Sequence, residues 1–313
     1  MDGVNTEIAS ARYVRVYLAV AVVLVALSGV ISYLGYRYNI TDFHFLKLVH
    51  YQLDKLARGH VADVVFVGDS SLGNAIDVEM VRRQTGNEAY NLALTGAFGY
   101  LGSHNMIRRV TAVGHPRLVV IMHTVDMMSR EETFLADFLT APDPDARVLD
   151  MPLKEVARVY LTFDSLGRVL SGAMGRVNGK RDDTVIVNDY VRQGERGARR
   201  IATGIGTATR KLPATAIRRD TVENLRRIAR LCEAEHLRCV YAHGPLVAPL
   251  CEAFAPFIRQ ANAEIRAMGL PLLAEMPYCV PVNQIGDEDD HVAPAFKQVA
   301  TRYYLERLPL DSP

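Results

Sequence analysis

The chain has 313 residues, 49% of them hydrophobic, with 36 basic against 35 acidic side chains and a net charge of +1. That is enough apolar material for one sizeable α/β core, and the even charge argues against nucleic-acid binding, which needs a basic excess gathered on one face. The four cysteines, Cys232, Cys239, Cys251 and Cys279, fit no zinc spacing and read as buried thiols, with disulfides permitted in an oxidising compartment.

Residues 1–15 read as a short cytoplasmic N-terminus. Residues 16–36 carry no charge and are rich in Val, Leu and Ala, long enough at ~1.5 Å per residue to cross a hydrocarbon core of ~30 Å. Tyr13, Tyr17, Tyr33, Tyr36 and Tyr38 gather at the two ends as an aromatic belt does. A cleaved signal peptide has a shorter apolar region and a small-residue cleavage site, of which Ser28, Gly29 and Ser32 give only a faint version. The expectation is an uncleaved transmembrane anchor. Arg12 and Arg15 precede it and Arg37 follows, so the charge bias is slight. A short N-terminus before a long C-terminal domain implies an inner-membrane, single-pass protein whose domain lies in the periplasm or outside the cell.

Residues 37–62 form a linker, with a helix over 41–58 that Asp42 could start and whose apolar positions include Phe45, Leu48, Val49, Leu53 and Leu56. From 63 to 313, apolar runs at 63–68, 89–94, 118–122, 238–242 and 271–273 predict strands. Helical patterns at 77–85, 104–113, 219–235 and 295–308 fall between or after them. Strands alternating with helices predict a parallel, doubly wound sheet. Residues 137–213 break the pattern as an insertion, opened by Pro142, Asp143, Pro144 and Asp145 and turning basic and Gly-rich over 194–211. It reads as a solvated loop or, functionally, as a cap able to touch anionic headgroups or an acidic polysaccharide.

The run Val64-Val65-Phe66-Val67-Gly68-Asp69-Ser70-Ser71 reads as a strand buried on both faces that delivers a serine to the carboxyl edge of the sheet, where open α/β sheets bind ligands. Ser70 is the candidate nucleophile. Ser71 is its fallback and the better helix cap, and Asp69 reads as a turn-bonding residue. A hydroxyl needs a base, a group to orient that base, and donors for an oxyanion. His291 follows four acids and precedes the last helix, so it is the candidate base. Gly96, after the second strand, is the candidate oxyanion donor together with the Ser70 backbone N–H. His123 and His243 end predicted strands and are expected on the rim of the site; with Asn74 they are the candidate substrate contacts.

These residues carry a family resemblance. Gly68-Asp69-Ser70-Ser71 resembles the first block of the SGNH, or GDSL, hydrolases. Asn91 to Gly96 resembles the second block, and His291 after its acids resembles the final Asp-x-x-His. The resemblance implies a flavodoxin-like doubly wound parallel sheet of about five strands and a Ser70–His291 pair. Glu288 orients the imidazole by the family's spacing, with Asp287 as the alternative. Two departures stand out: the third block reads His123-Thr124-Val125-Asp126, with no asparagine, and Glu288 stands where the family has aspartate.

An anchor followed by such a domain resembles exported acylation proteins of cell-surface polymers, which work beside a multipass membrane-bound O-acyltransferase. The expected function is acyl transfer, acetyl first, to a polysaccharide or envelope glycan through an acyl-serine. An esterase or deacetylase is the alternative, and an inactive glycan- or partner-binding accessory protein is the non-enzymatic one. This chemistry calls for no metal and no cofactor.

Overall fold

The computed structural model describes residues 2–38, 40, 44–57, 59, 62–132, 134–142, 153–178, 184–187, 190–193, 216–286 and 288–310. Asp42, Asp287 and the basic stretch 194–211 therefore lie outside the described residues. The chain divides into two units, Met1–Lys47 with Asp145–Asp182, and Leu48–Pro144 with Asp183–Pro313. The insertion expected at 137–213 is thus shared between them.

The first unit is helical. α1 (Asp2–Arg37) contains one stretch, Tyr13–Arg37, long and apolar enough to cross a membrane. Helices from residues Leu153–Tyr160 (α7) and Phe163–Val177 (α8) belong to the same unit. Thr162 caps α8, its hydroxyl accepting the Ser165 N–H at 3.2 Å.

The second unit begins in α2, which spans His44–Ala57. There follow β1 (Val64–Gly68), α3 (Ser70–Ala75), α4 (Val78–Thr85), β2 (Ala89–Ala93), α5 (Gly99–Val113), β3 (Leu118–His123), a 3-10 turn at Val125–Ser129 and α6 (Phe134–Thr140). After the insertion helices come the antiparallel hairpin β4 (Thr184–Val187) and β5 (Tyr190–Gln193), then α9 (Arg219–Ala234), β6 (Cys239–His243), β7 (Leu246–Val247), α10 (Ala248–Ala267), β8 (Cys279–Val280) and α11 (Lys297–Leu305). Four strands make one parallel sheet in the order β2-β1-β3-β6. The chain winds outward to β2 on one side of β1 and to β3 and β6 on the other, so the switch between β1 and β3 opens at the carboxyl edge, where doubly wound sheets bind ligands. β1 and β3 are buried along their whole length, which is why they read as unbroken apolar runs rather than alternating ones.

The fifth predicted strand is not formed as a strand. Residues 271–273 make a single parallel bridge, Leu272 with Tyr241. The Tyr241 N–H donates to the Pro271 carbonyl at 2.8 Å and the Leu273 N–H to the Tyr241 carbonyl at 2.8 Å. Pro271 has no N–H to carry the ladder further. The cysteines also differ from their reading as thiols. They form two disulfides, Cys232–Cys239 joining the end of α9 to the start of β6 and Cys251–Cys279 joining α10 to β8, with none left free.

Candidate active site at the carboxyl edge of the sheet

Asp69 organises this edge. It leaves β1 in extended conformation and caps α3, one oxygen accepting the Ser71 N–H at 2.9 Å and the Ser71 hydroxyl at 2.6 Å. Its other oxygen accepts the Thr124 N–H at 2.9 Å, just past the end of β3, and lies 3.5 Å from His123 Nδ1. Burial pushes this carboxyl up, but His123, the Ser71 hydroxyl and the Thr124 N–H more than offset it and hold it at about 2. Asp69 is therefore a fixed anion that ties two adjacent strand ends together.

The two serines part company on this frame. Ser71 is buried and bonded to Asp69, whereas Ser70, the first residue of α3, is only half-buried. Its carbonyl accepts the Asn74 side-chain amide at 2.7 Å, so buried Asn74 braces the turn from inside.

The last helix carries the acid and histidine block to the same edge. Buried Lys297 donates to the Gly73 carbonyl at 2.7 Å, and the Thr301 hydroxyl bonds the Ala75 carbonyl at 2.9 Å, so α11 is fastened onto α3. The preceding loop is pinned by the Val247 N–H to the Asp289 carbonyl at 2.8 Å and by the Ile285–Val292 bridge. His291 Nε2 lies 3.7 Å from Asp290 Oδ1 and 3.9 Å from Glu288 Oε2. Glu288 is exposed while Asp290 is buried, and burial together with the nearby charges of Asp69, Glu288 and Asp126 raises the Asp290 carboxyl to about 6 against the opposing pull of His291.

Gly96 sits in the turn after β2, where the Phe98 N–H donates to the Thr95 carbonyl at 2.9 Å. A Cβ at Gly96 would stand 2.6 Å from Arg130 Nη1, so glycine here is what lets the guanidinium close over the turn. Arg130 follows the 3-10 turn, and its Nη2 lies 2.8 Å and 2.9 Å from the two oxygens of buried Asp126. Burial disfavours its charge, but Asp126, Asp69 and Asp290 together raise its pKa and keep it cationic. Sequence reading missed Arg130. The available signal was the acid–arginine pair Asp126 and Arg130 four residues apart, just after the strand that ends at His123.

His123 and His243 do end their strands, but not on an open rim. The His123 ring is wholly buried, with Nε2 2.9 Å from the Ser103 hydroxyl and a T-shaped contact with Tyr100, centroids 4.5 Å apart. His243 is buried with Nε2 2.6 Å from Asn262 Oδ1, and burial lowers its pKa toward the neutral form. Tyr100 and Tyr241 hydroxyls meet at 2.8 Å between them. Both faces of these strands are covered and the partners lie on the covering helices, Ser103 on α5 and Asn262 on α10, so the histidines brace the edge instead of facing solvent.

The β4–β5 hairpin reaches this edge through Tyr190, whose hydroxyl donates to the Leu94 carbonyl at 3.2 Å and whose ring fills the space beside Gly73. Among the described residues, Glu288, Asp290 and His291 are the set whose ligand atoms converge, within 4.8 Å of one another, and two carboxylates with one imidazole are donors a divalent cation could use. The chain matches no protein-family model, no curated protein and no solved structure.

Proposed function

We propose that the chain is a membrane-anchored, extracytoplasmic serine enzyme of SGNH type that transfers an acyl group to a cell-surface polysaccharide or other envelope glycan. The observation that carries the reading is the contrast at the end of β1. One serine is locked to Asp69 in the core while its neighbour, half-buried, stands at the head of α3, the helix onto which α11, just after the His291 loop, is fastened.

In this reading the Ser70 hydroxyl attacks an ester carbonyl as His291 takes its proton, with Glu288 or the nearer Asp290 holding the imidazole. The tetrahedral oxyanion is met by the N–H groups of Ser70 and Gly96. Arg130 Nη1 stands in for the missing third-block asparagine. His291 then protonates the departing alcohol, leaving an acyl ester on Ser70, and an acceptor hydroxyl attacks that ester in the second half. Two disulfides suit an oxidising compartment, and an anchored domain there is suited to receive acyl groups from a multipass O-acyltransferase.

Water as acceptor would make the same site an esterase. The missing third-block asparagine, where the chain reads His123-Thr124-Val125-Asp126, favours instead a binding protein that keeps the edge without the chemistry. One experiment divides the three: full-length protein in detergent is given an acetyl ester with and without a glycan, and free acetate and acetylated sugar are both measured. Acetylated sugar supports transfer and acetate alone supports hydrolysis. If neither appears and a fluorophosphonate fails to label Ser70, the enzyme reading is wrong.

A further inference from the structure

In the helical unit, α1 changes surroundings along its length. From Tyr13 to Leu27 its large apolar side chains are half or more exposed, while further on Ser32 and Tyr36 are buried. What covers them is α7 and α8. Leu161, between these helices, packs at Gly29, and Val169 of α8 packs at Gly35; a Cβ at either glycine would collide with them. Tyr160 meets Tyr33 and Tyr36 edge-on, with centroids 5.8 and 6.2 Å away. Gly29 to Gly35 is a rise of ~9 Å along a helix, so the two insertion helices sheathe the last turns of the apolar stretch at the level of its tyrosines.

α8 turns Ser165 and Val169 inward. Its outward face carries Leu170, Met174 and Val177, which are 50%, 64% and 87% exposed and lie four and three residues apart, one stripe on a helix. A helix facing water shows polar residues at such positions. Taking α1 as the membrane span, we propose that α8 lies in the boundary between headgroups and acyl chains where α1 leaves the bilayer, with Leu170, Met174 and Val177 against lipid. Interfacial helices sink their apolar face ~5–10 Å into that boundary, which matches the depth over which α7 and α8 follow α1. Tyrosines mark the same level in membrane proteins. This surface orients the unit on the membrane and owes nothing to the chemistry assigned to Ser70.

The chain has no tryptophan, so Leu170→Trp, Met174→Trp and Val177→Trp each place a single indole on the stripe at a site already open. Leu24→Trp, in mid-span, and Val299→Trp, 43% exposed on α11, serve as references. Each full-length variant is reconstituted in phosphatidylcholine vesicles brominated either near the headgroup or near the chain terminus. The stripe positions should show blue-shifted emission, quenched at least about twofold by shallow bromine and less by deep bromine, as expected for an interfacial helix. Leu24→Trp should show the reverse order and Val299→Trp neither. Water-like, unquenched emission at the stripe with Leu24→Trp quenched overturns the proposal. Blue-shifted but unquenched emission also overturns it, because protein then covers the face. If Leu24→Trp is unquenched as well, α1 is no span and the proposal falls with it.

Discussion

Arg130 Nη1 stands 2.6 Å from the point where a Cβ on Gly96 would lie, while its Nη2 holds Asp126. Only a glycine leaves the guanidinium room against this turn, and in the proposed reaction the two supply a backbone N–H and a cationic donor to the oxyanion. Arg130→Ala should lower kcat on an activated acetyl ester by about a hundredfold to a thousandfold, the usual loss for one oxyanion donor, with KM nearly unchanged. Asp126→Asn separates this role from a structural one, since it breaks the ion pair but leaves the guanidinium. Equal losses from both variants would mean that Arg130 only secures the 3-10 turn.

The serines give a sharper pair. Ser70→Ala should abolish turnover and fluorophosphonate labelling while leaving thermal stability close to the parent, because its side chain is bonded to no described residue. Ser71→Ala should do the opposite. It removes a buried hydroxyl 2.6 Å from the Asp69 carboxylate, a bond to a charged group worth about 1.5–3 kcal/mol. Chemical denaturation and probe labelling of both variants check this, and labelling that survives Ser70→Ala moves the nucleophile elsewhere.

The parts of this edge that could be read from the chain are those governed by local pattern. The Val64 to Ser71 run and the helices expected at 77–85 and 219–235 show in sequence because burial on both faces of a strand and helical spacing of apolar positions leave residue-level marks. What was not legible depends on neighbours distant in the chain. Residues 271–273 look like a strand, yet Pro271 limits them to one bridge. Strand-end histidines look like rim residues, yet α5 and α10 cover the strand ends and supply partners to His123 and His243. The disulfide pairing joins cysteines 28 positions apart in one case, which spacing alone does not select.

Asp290 and Asp69 should respond to pH with opposite sign. Asp290 titrates at about 6 in the fold against 3.8 for the ordinary group, so the folded protein holds a proton that the unfolded chain has released. Its contribution is fully present below about pH 4 and is lost as pH rises through 6, a swing of about 3 kcal/mol at most. Asp290→Asn should therefore raise the melting temperature at pH 8 and leave it unchanged near pH 4. Asp69 is held at about 2, so its stabilisation is present above about pH 4 and disappears as pH falls toward 2, by about 2 kcal/mol. Asp69→Asn should cost most at neutral pH. Melting curves of both variants from pH 3 to 8 that run parallel to the parent would contradict both assignments.

Compartment and disulfides can be tested together. Cys251–Cys279 closes a separation of 28 residues and Cys232–Cys239 one of 7. By loop-closure entropy the first stabilises by roughly 3–4 kcal/mol and the second by roughly 2–2.5 kcal/mol. The longer loop links α10 to β8, just ahead of the segment that carries His291, so Cys251→Ala with Cys279→Ala should lower both stability and turnover more than the matching pair at 232 and 239. Such bonds persist where thiols are oxidised, and in the proposed topology, with Tyr13–Arg37 as the span and its short arm inside, the remainder lies there. A C-terminal alkaline phosphatase fusion should then be active and a green fluorescent fusion dark. Protein taken from cells with its thiols trapped should carry no alkylated cysteine. Four alkylated cysteines together with an inactive phosphatase fusion would put the domain in the cytoplasm and remove the reason to expect an envelope glycan as acceptor.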